Sequence, residues 1–360
     1  MRLKALAQDR LSPLHGARLA AHLALSPDLR PKGGRLLPGS QTWTLADLGW
    51  RAGDLLGPLR ADQARGRIPV PITRRKEGLI RPSRLIVLDS GLVLLADLGR
   101  PAPGAGSAPP RIPPRILAWD PRSRDLRVLA ENLYVLDLCA HPDGERLLAL
   151  TAPAEGSHAT SLTVLDLTSS RAGHILARLP LHRPENGRAR LAMRLTTANG
   201  RLYVLSHATS RLLTYDLEDF RLMDEFAHFF LRLTYDLTPD PAPDPVTGGQ
   251  ELVIPVSDLD TVFRVNPTAK TMQAVQHPDL ISPACLEPLP GGHWLCLHTA
   301  YVDALPTRLS VLDADFRPLS TRPLDAVWPL HARVLPTPDG PRMLLIDPSG
   351  GIRMYELPGE

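Results

Sequence analysis

The strongest constraint on this chain is that it repeats one hairpin. The stretch LYVLDLCAHPDGERLLALTA, residues 133–152, is two apolar runs hinged on Pro-Asp-Gly, the chemistry of a tight turn between two strands. Related turns stand at DSG 89–91, PDG 142–144, ANG 198–200, TGG 247–249, PGG 290–292 and PDG 338–340, and their final glycines lie 53, 56, 49, 43 and 48 residues apart. Each is followed by a short apolar strand: LVLLADL, ERLLALT, RLYVLSH, ELVIPVS, HWLCLHT and PRMLLID. A further strand follows each of these: RILAWD, SLTVLD, RLLTYD, TVFRVN, RLSVLD and GIRMYE. The polar residues that close this second set, Asp120, Asp166, Asp216, Asn266, Asp313 and Glu356, are spaced 46, 50, 50, 47 and 43 apart. Two independent landmarks therefore give one period.

A fourth strand is visible in five units, for example DLRVLA, GHILARL and FRLMDEF. Four short strands in a repeat of this length cannot bury both faces alone, so neighbouring repeats must cover one another around a central channel. The expected architecture is mostly β: a six-bladed β-propeller with four-stranded blades, preceded by a short N-terminal helical region. The quoted segments resemble the WD-like and YVTN-like repeats of the β-propeller superfamily, in which a PDG turn joins the first two strands and a V-x-D-L ending closes the third. The resemblance covers roughly residues 67 to 357 and points to no narrower family. It implies architecture and leaves function to the particular side chains. The closing acid of each third strand reads as a turn device, because Asp or Asn there accepts a hydrogen bond from the backbone two residues on.

The expected division is residues 1–62 as an N-terminal helical extension and 63–360 as the propeller. The last unit ends soon after its third strand, so an earlier segment must supply its fourth. RIPVPI, residues 67–72, alternates Ile68, Val70 and Ile72 with Pro69 and Pro71. Its two missing N–H donors fall on one edge, which suits an outermost strand closing the last blade. Further upstream, Ser12 with Pro13 and Thr44 with Asp47 have the form of helix starts, and the helices they begin are expected to dock on the propeller.

Composition narrows the setting. No apolar run reaches the length of a membrane span, and Lys4, Gln8, Asp9 and Arg10 interrupt any signal-peptide core. Three cysteines, Cys139, Cys285 and Cys296, form no CxxC pair, which fits a reducing compartment. Cys285 and Cys296 are expected opposite each other across the turn at Pro290 and Gly291. The excess of Arg over Lys, with abundant Leu, Ala and Pro, suggests a bacterium with a GC-rich genome. A bacterial cytoplasmic location is the expectation. Residues 1–85 carry 16 Lys/Arg against 6 Asp/Glu, whereas the remainder carries 25 against 32.

These features set three functional expectations. The first is a non-catalytic scaffold mediating protein–protein interaction, with a contact region of His298, Tyr301, Asp303, Asp325 and Trp328 on the channel-mouth face, where aromatics stand beside charges. The second is a metal-dependent propeller hydrolase or lactonase of the regucalcin type, with Glu131, Asn132, Asp279 and Asp325 around a divalent ion. The third is a nucleic-acid-associated accessory protein that engages phosphates through Arg74, Arg75, Lys76, Arg81 and Arg84. The histidines near strand ends, His182, His207, His277, His298 and His331, read as surface-loop residues. No P-loop, GxGxxG, GxSxG or HExxH occurs, so no cofactor is expected and none of those chemistries is indicated.

Overall fold

The computed structural model describes residues 81–357 apart from 100–111, 124, 155–159, 169, 182–192, 207–208, 235, 243–248, 299–306, 325–330, 339 and 348–350. Within them every sheet is antiparallel and built from consecutive strands. Blade one holds β1 (Pro82–Val87), β2 (Val93–Asp97), β3 (Arg115–Asp120) and β4 (Asp125–Glu131). Blade two holds β5 (Tyr134–Ala140), β6 (Arg146–Ala152), β7 (Ser161–Asp166) and β8 (Ile175–Pro180), and blade three β9 (Met193–Ala198), β10 (Arg201–Ser206), β11 (Arg211–Asp216) and β12 (Leu222–Ala227). In blade four the first strand shrinks to the pair Thr238–Pro239 (β13), followed by β14 (Leu252–Val256), β15 (Thr261–Asn266) and β16 (Thr271–Gln276). Blade five holds β17 (Pro283–Leu289), β18 (His293–His298), β19 (Arg308–Leu312) and β20 (Pro318–Pro323). Blade six has three strands among the described residues, β21 (His331–Leu335), β22 (Arg342–Asp347) and β23 (Gly351–Glu356).

The first strands form the inner ring. β1 packs on β5, β5 on β9, β9 on β13, β14 on β17, β17 on β21, and β21 returns to β1. The ring is closed and has six blades.

Burial follows from this layering. The second strands are covered on both faces, so β2 and β14 are buried throughout and read as continuous apolar runs. The fourth strands lie on the rim and alternate between half-buried and exposed, as in β8 and β12. No blade has a core of its own. Each of the six apolar clusters lies at a seam: Leu95 and Trp119 pack with Leu344 and Ile346 between blades one and six, and Leu150 and Val164 pack with Val204 and Tyr215 between blades two and three. The four other clusters fill the other four seams in the same way. At roughly 1.5–3 kcal/mol for each large apolar side chain buried, stability resides in the contacts between blades.

Two turn devices repeat. Gly144 in the PDG turn has φ +72, a conformation that glycine adopts without a Cβ penalty. The acids closing the third strands accept hydrogen bonds as their sequence predicts: Asp120 Oδ1 from Arg122 N (2.9 Å), Asp166 Oδ1 from Thr168 N (2.8 Å), Asp216 Oδ1 from Glu218 N (2.9 Å) and Asp313 Oδ1 from Asp315 N (2.9 Å). Asn266 Oδ1 takes the N–H one residue further on, at Ala269 (2.9 Å).

The cysteine pairing needs correction. A three-residue turn, Pro290–Gly292, sets Leu289 against His293, so Cys285 faces Leu297 and Cys296 faces Leu286. The register is one residue away from the expected one. Alternation along paired strands then sends the two thiols to opposite sides of the sheet, Cys285 into the seam with blade six and Cys296 into the seam with blade four. The expected helical region 1–62 and the closing strand 67–72 lie outside the described residues.

Candidate functional site

A first strand pairs with a second strand on one edge only, and its other edge faces the channel with unpaired N–H groups. Buried N–H groups need acceptors. Here they come from side chains of the preceding blade. Asp137 Oδ2 on β5 accepts from Leu195 N on β9 (2.9 Å), and Asp236 Oδ2, just before β13, accepts from Leu286 N on β17 (3.2 Å). Glu287 Oε2 on β17 accepts a long bond from Val334 N on β21 (3.5 Å), and His331 Nδ1 on β21 accepts from Leu85 N on β1 (3.3 Å). Four of the six seams are thus bridged at the axis by an acceptor side chain and the next blade's backbone.

Ion pairs complete the ring. Arg84 Nε stands 3.4 Å from Asp137 Oδ1, joining blades one and two. Arg333 on β21 reaches Glu287 Oε1 at 2.7 Å and Asp236 Oδ1 at 3.7 Å, joining blade six to blades five and four. With Arg194 on β9, each blade presents one Arg, Asp or Glu in or just before its first strand: Arg84, Asp137, Arg194, Asp236, Glu287 and Arg333. The spacings are 53, 57, 42, 51 and 46 residues, and the three arginines formally balance the three acids. The Glu287 and Arg333 side chains keep 14% and 17% exposure.

The electrostatics follow from burial. Loss of water pushes the Asp137 carboxyl up to about 6 against the opposing pull of Arg84 and the Leu195 N–H. Burial likewise raises Glu287 to about 7, with Arg333 pulling the other way. Burial opposes the Arg333 charge, but the Glu287 and Asp236 carboxylates outweigh it and hold the guanidinium protonated. Burial, then the Arg333 and Arg84 charges, drives His331 well below the usual imidazole range. It is a neutral ring, as its Nδ1 acceptor role requires. Burial raises the Cys285 thiol well above its ordinary value, and Asp236 adds to the rise. Its Sγ donates to Ala332 O at 3.4 Å and accepts from Arg333 Nη1 at 3.5 Å. Asp236, Cys285 and His331 place their ligand-type atoms within 4.8 Å of one another, and Nε2 of His331 is buried with no hydrogen-bond partner.

The residues singled out in the sequence are placed differently. His298 is 3% exposed, with Nδ1 on Ile281 O (2.5 Å) and Nε2 on Ser310 Oγ (2.8 Å). It stitches a sheet and offers no contact surface, which corrects its assignment. Tyr301, Asp303, Asp325 and Trp328 lie outside the described residues. Glu131, Asn132 and Asp279 are exposed. Asn132 makes the turn into β5 with φ 61, and Asp279 lies 3.8 Å from His277 Nδ1. Among the described residues Glu131 and Asp279 belong to no cluster of three ligand groups; the fourth residue of that set, Asp325, lies outside the described residues.

Arg74, Arg75 and Lys76 are outside the described residues. Arg81 supports its own blade, donating from Nε to Gly99 O (3.0 Å) and from its backbone to Asp97 Oδ1 (2.7 Å). Arg84 is buried against Asp137, so it is corrected from a phosphate contact to an axial ion-pair partner. His331 is buried as well, not a surface-loop residue; His182 and His207 lie outside the described residues. The axial ring went unread in the sequence although a signal existed: SRLIV, VLDLC, MRLTT, YDLTP, CLEPL and HARVL each place one Arg, Asp or Glu in or just before the first strand of a repeat.

No protein-family model matches the chain, and no curated protein matches it. Among solved structures it is similar to the RRP9 WD40 repeats at 11% identity, over 83% of this chain and 99% of that one, with a TM-score of 0.52. It is also similar to U3-55K at 13% identity, over 82% of each chain, with a TM-score of 0.49. Among the described residues no helix is long and apolar enough to cross a membrane. The likeness to the RRP9 repeats concerns the fold alone, and it agrees with the six closed blades: this chain is a six-bladed β-propeller.

Proposed function

We propose that this propeller is a non-catalytic platform for protein partners in the bacterial cytoplasm, and that partners meet it on the rim. The observation that carries this reading is the position of the exposed apolar side chains. Among the described residues six large apolar side chains are exposed: Ile175, Leu176, Leu222, Met223, Phe229 and Leu319. Five of them lie on fourth strands, in β8, β12 and β20. Ile175–Leu176 and Leu222–Met223 occupy equivalent places, the first two residues of the outer strands of adjacent blades. Water-facing apolar pairs repeated on neighbouring edges suit burial by another protein. The described axial groups, in contrast, are engaged in bridging blades. On the same reading Tyr301, Asp303, Asp325 and Trp328 form a second contact at the channel mouth, and the N-terminal helical region 1–62 a third.

The test is quantitative co-purification of the tagged full chain from its native cells, comparing wild type with Ile175→Lys and Leu222→Glu. The expected result is a stoichiometric protein partner whose recovery falls at least tenfold in one or both variants while their circular dichroism is unchanged. Recovery of no stoichiometric partner, or of one indifferent to both substitutions, refutes the rim as the contact surface.

A further inference from the structure

We propose that Asp236, Cys285 and His331 form a binding site for one divalent transition-metal ion of the zinc class at the propeller axis. The three residues come from blades four, five and six, all three are buried, and their donor atoms lie within 4.8 Å of one another. A thiolate, an imidazole and a carboxylate are the mixed soft and borderline ligands that zinc takes in tetrahedral sites. The edge of such a tetrahedron is roughly 3.5 Å, so the side chains must converge by about 1 Å.

Two observations apart from the cluster point to a cation. The first is the buried, unpartnered Nε2 of His331. In the metal-free ring Leu85 N–H occupies Nδ1 at 3.3 Å, so Nε2 carries the proton and has no acceptor, a costly condition for a buried donor. The second is the uneven sharing of Arg333, which lies 2.7 Å from Glu287 but 3.7 Å from Asp236. Asp236 is left as the less compensated carboxylate. With a divalent ion on the Asp236 carboxylate and the Cys285 thiolate, that group becomes neutral, while Arg333 pairs with Glu287 and Arg84 with Asp137.

The protons balance as follows. Cys285 loses its thiol proton to solvent, and the His331 proton moves from Nε2 to Nδ1, which then faces the Leu85 N–H as a second donor, so that bond breaks and the imidazole and the β1 backbone must part as the ligands converge on the ion. One proton is released per ion. The outer partners are in place: Leu286 N–H holds Asp236 Oδ2 at 3.2 Å, and Arg333 Nη1 points at Cys285 Sγ from 3.5 Å, a donor that a thiolate accepts. The ion would tie together three consecutive blades on the side of the ring that includes blade six.

The test titrates the chelator-treated full chain with Co²⁺ and then Zn²⁺ as the only ligands. One equivalent of Co²⁺ should produce a thiolate-to-cobalt charge-transfer band, Zn²⁺ should displace it, and Zn²⁺ should raise the melting temperature. The band should vanish in Cys285→Ser, persist in Cys139→Ser, and need more than about 100-fold more Co²⁺ in His331→Gln, because losing a ligand costs more than losing an outer partner. The proposal is overturned if folded wild type gives no such band and no zinc-dependent rise in melting temperature, or if the band survives Cys285→Ser. Both readouts on wild type stand even where a variant fails to fold, and neither depends on a protein partner.

Discussion

Replacing Asp137 tests whether the axial ring holds the blades in register. Its carboxylate serves two seams at once, accepting from Leu195 N at 2.9 Å and facing Arg84 Nε at 3.4 Å. Asp137→Ala strands a buried N–H, at about 1–3 kcal/mol, and removes the counter-charge of a buried guanidinium, at about 3–5 kcal/mol. Arg84 keeps the Ser83 carbonyl at 3.2 Å, which pulls the total toward the lower end, about 4 kcal/mol. Asp137→Asn keeps an acceptor for Leu195 but also removes the charge, so it should lose about 3 kcal/mol, about 1 kcal/mol less than alanine. Urea unfolding measures both losses, and hydrogen exchange at the Leu195 amide reports the seam itself: fast in the alanine variant, protected in the asparagine variant. Equal losses in the two variants, or less than about 1 kcal/mol for alanine, would refute a bridging role.

The same pair of proteins gives a pH test. Burial, opposed by Arg84, the Leu195 N–H and Arg333 and reinforced by Asp236, sets the folded value of Asp137 at about 6 against an ordinary 3.8. The native state therefore holds this proton more tightly than the unfolded chain. Its contribution is fully present below about pH 4, declines as pH rises, and is lost above about pH 6. The stability of wild type relative to Asp137→Asn should fall across that window and stay flat above it.

Gly173 has φ +90, and an added Cβ would lie 1.8 Å from Leu129 O on the neighbouring blade, whereas Gly144, with φ +72, has nothing within 4 Å. Gly144→Ala should cost about 1 kcal/mol and Gly173→Ala about 3 kcal/mol or more; similar losses in thermal unfolding would show that this seam does not depend on the close approach. Removing residues 1–74 tests the proposed closure of blade six by residues 67–72. Hydrogen exchange should accelerate in residues 331–357 and much less in residues 193–227, and a uniform response would dismiss it.

The fold was legible because the period is written in residues whose chemistry is local. Turn glycines such as Gly144 and closing acids such as Asp166 act within three or four positions, so spacing alone counts the blades. The axial site depends on which residues meet across seams. Asp137 and Leu195 are 58 positions apart, and Leu85 and His331 are 246; nothing nearby in the chain states that they touch. Burial reversed other readings. His298 and Arg84 look like surface groups by residue type, yet both are buried, His298 hydrogen-bonded through both ring nitrogens and Arg84 paired with Asp137. The cysteine register turned on one extra turn residue between Leu289 and His293, a difference that pattern reading does not resolve.

Because every wedge of the ring carries its own sign at the hub, the wedges are not spare parts of one another. Duplicating or deleting any one of them would upset the zero sum of six, whereas cutting and rejoining the chain between wedges would leave the cyclic sequence of signs intact. A lineage with this hub can therefore tolerate moving its ends around the circle far more readily than changing how many segments the circle contains.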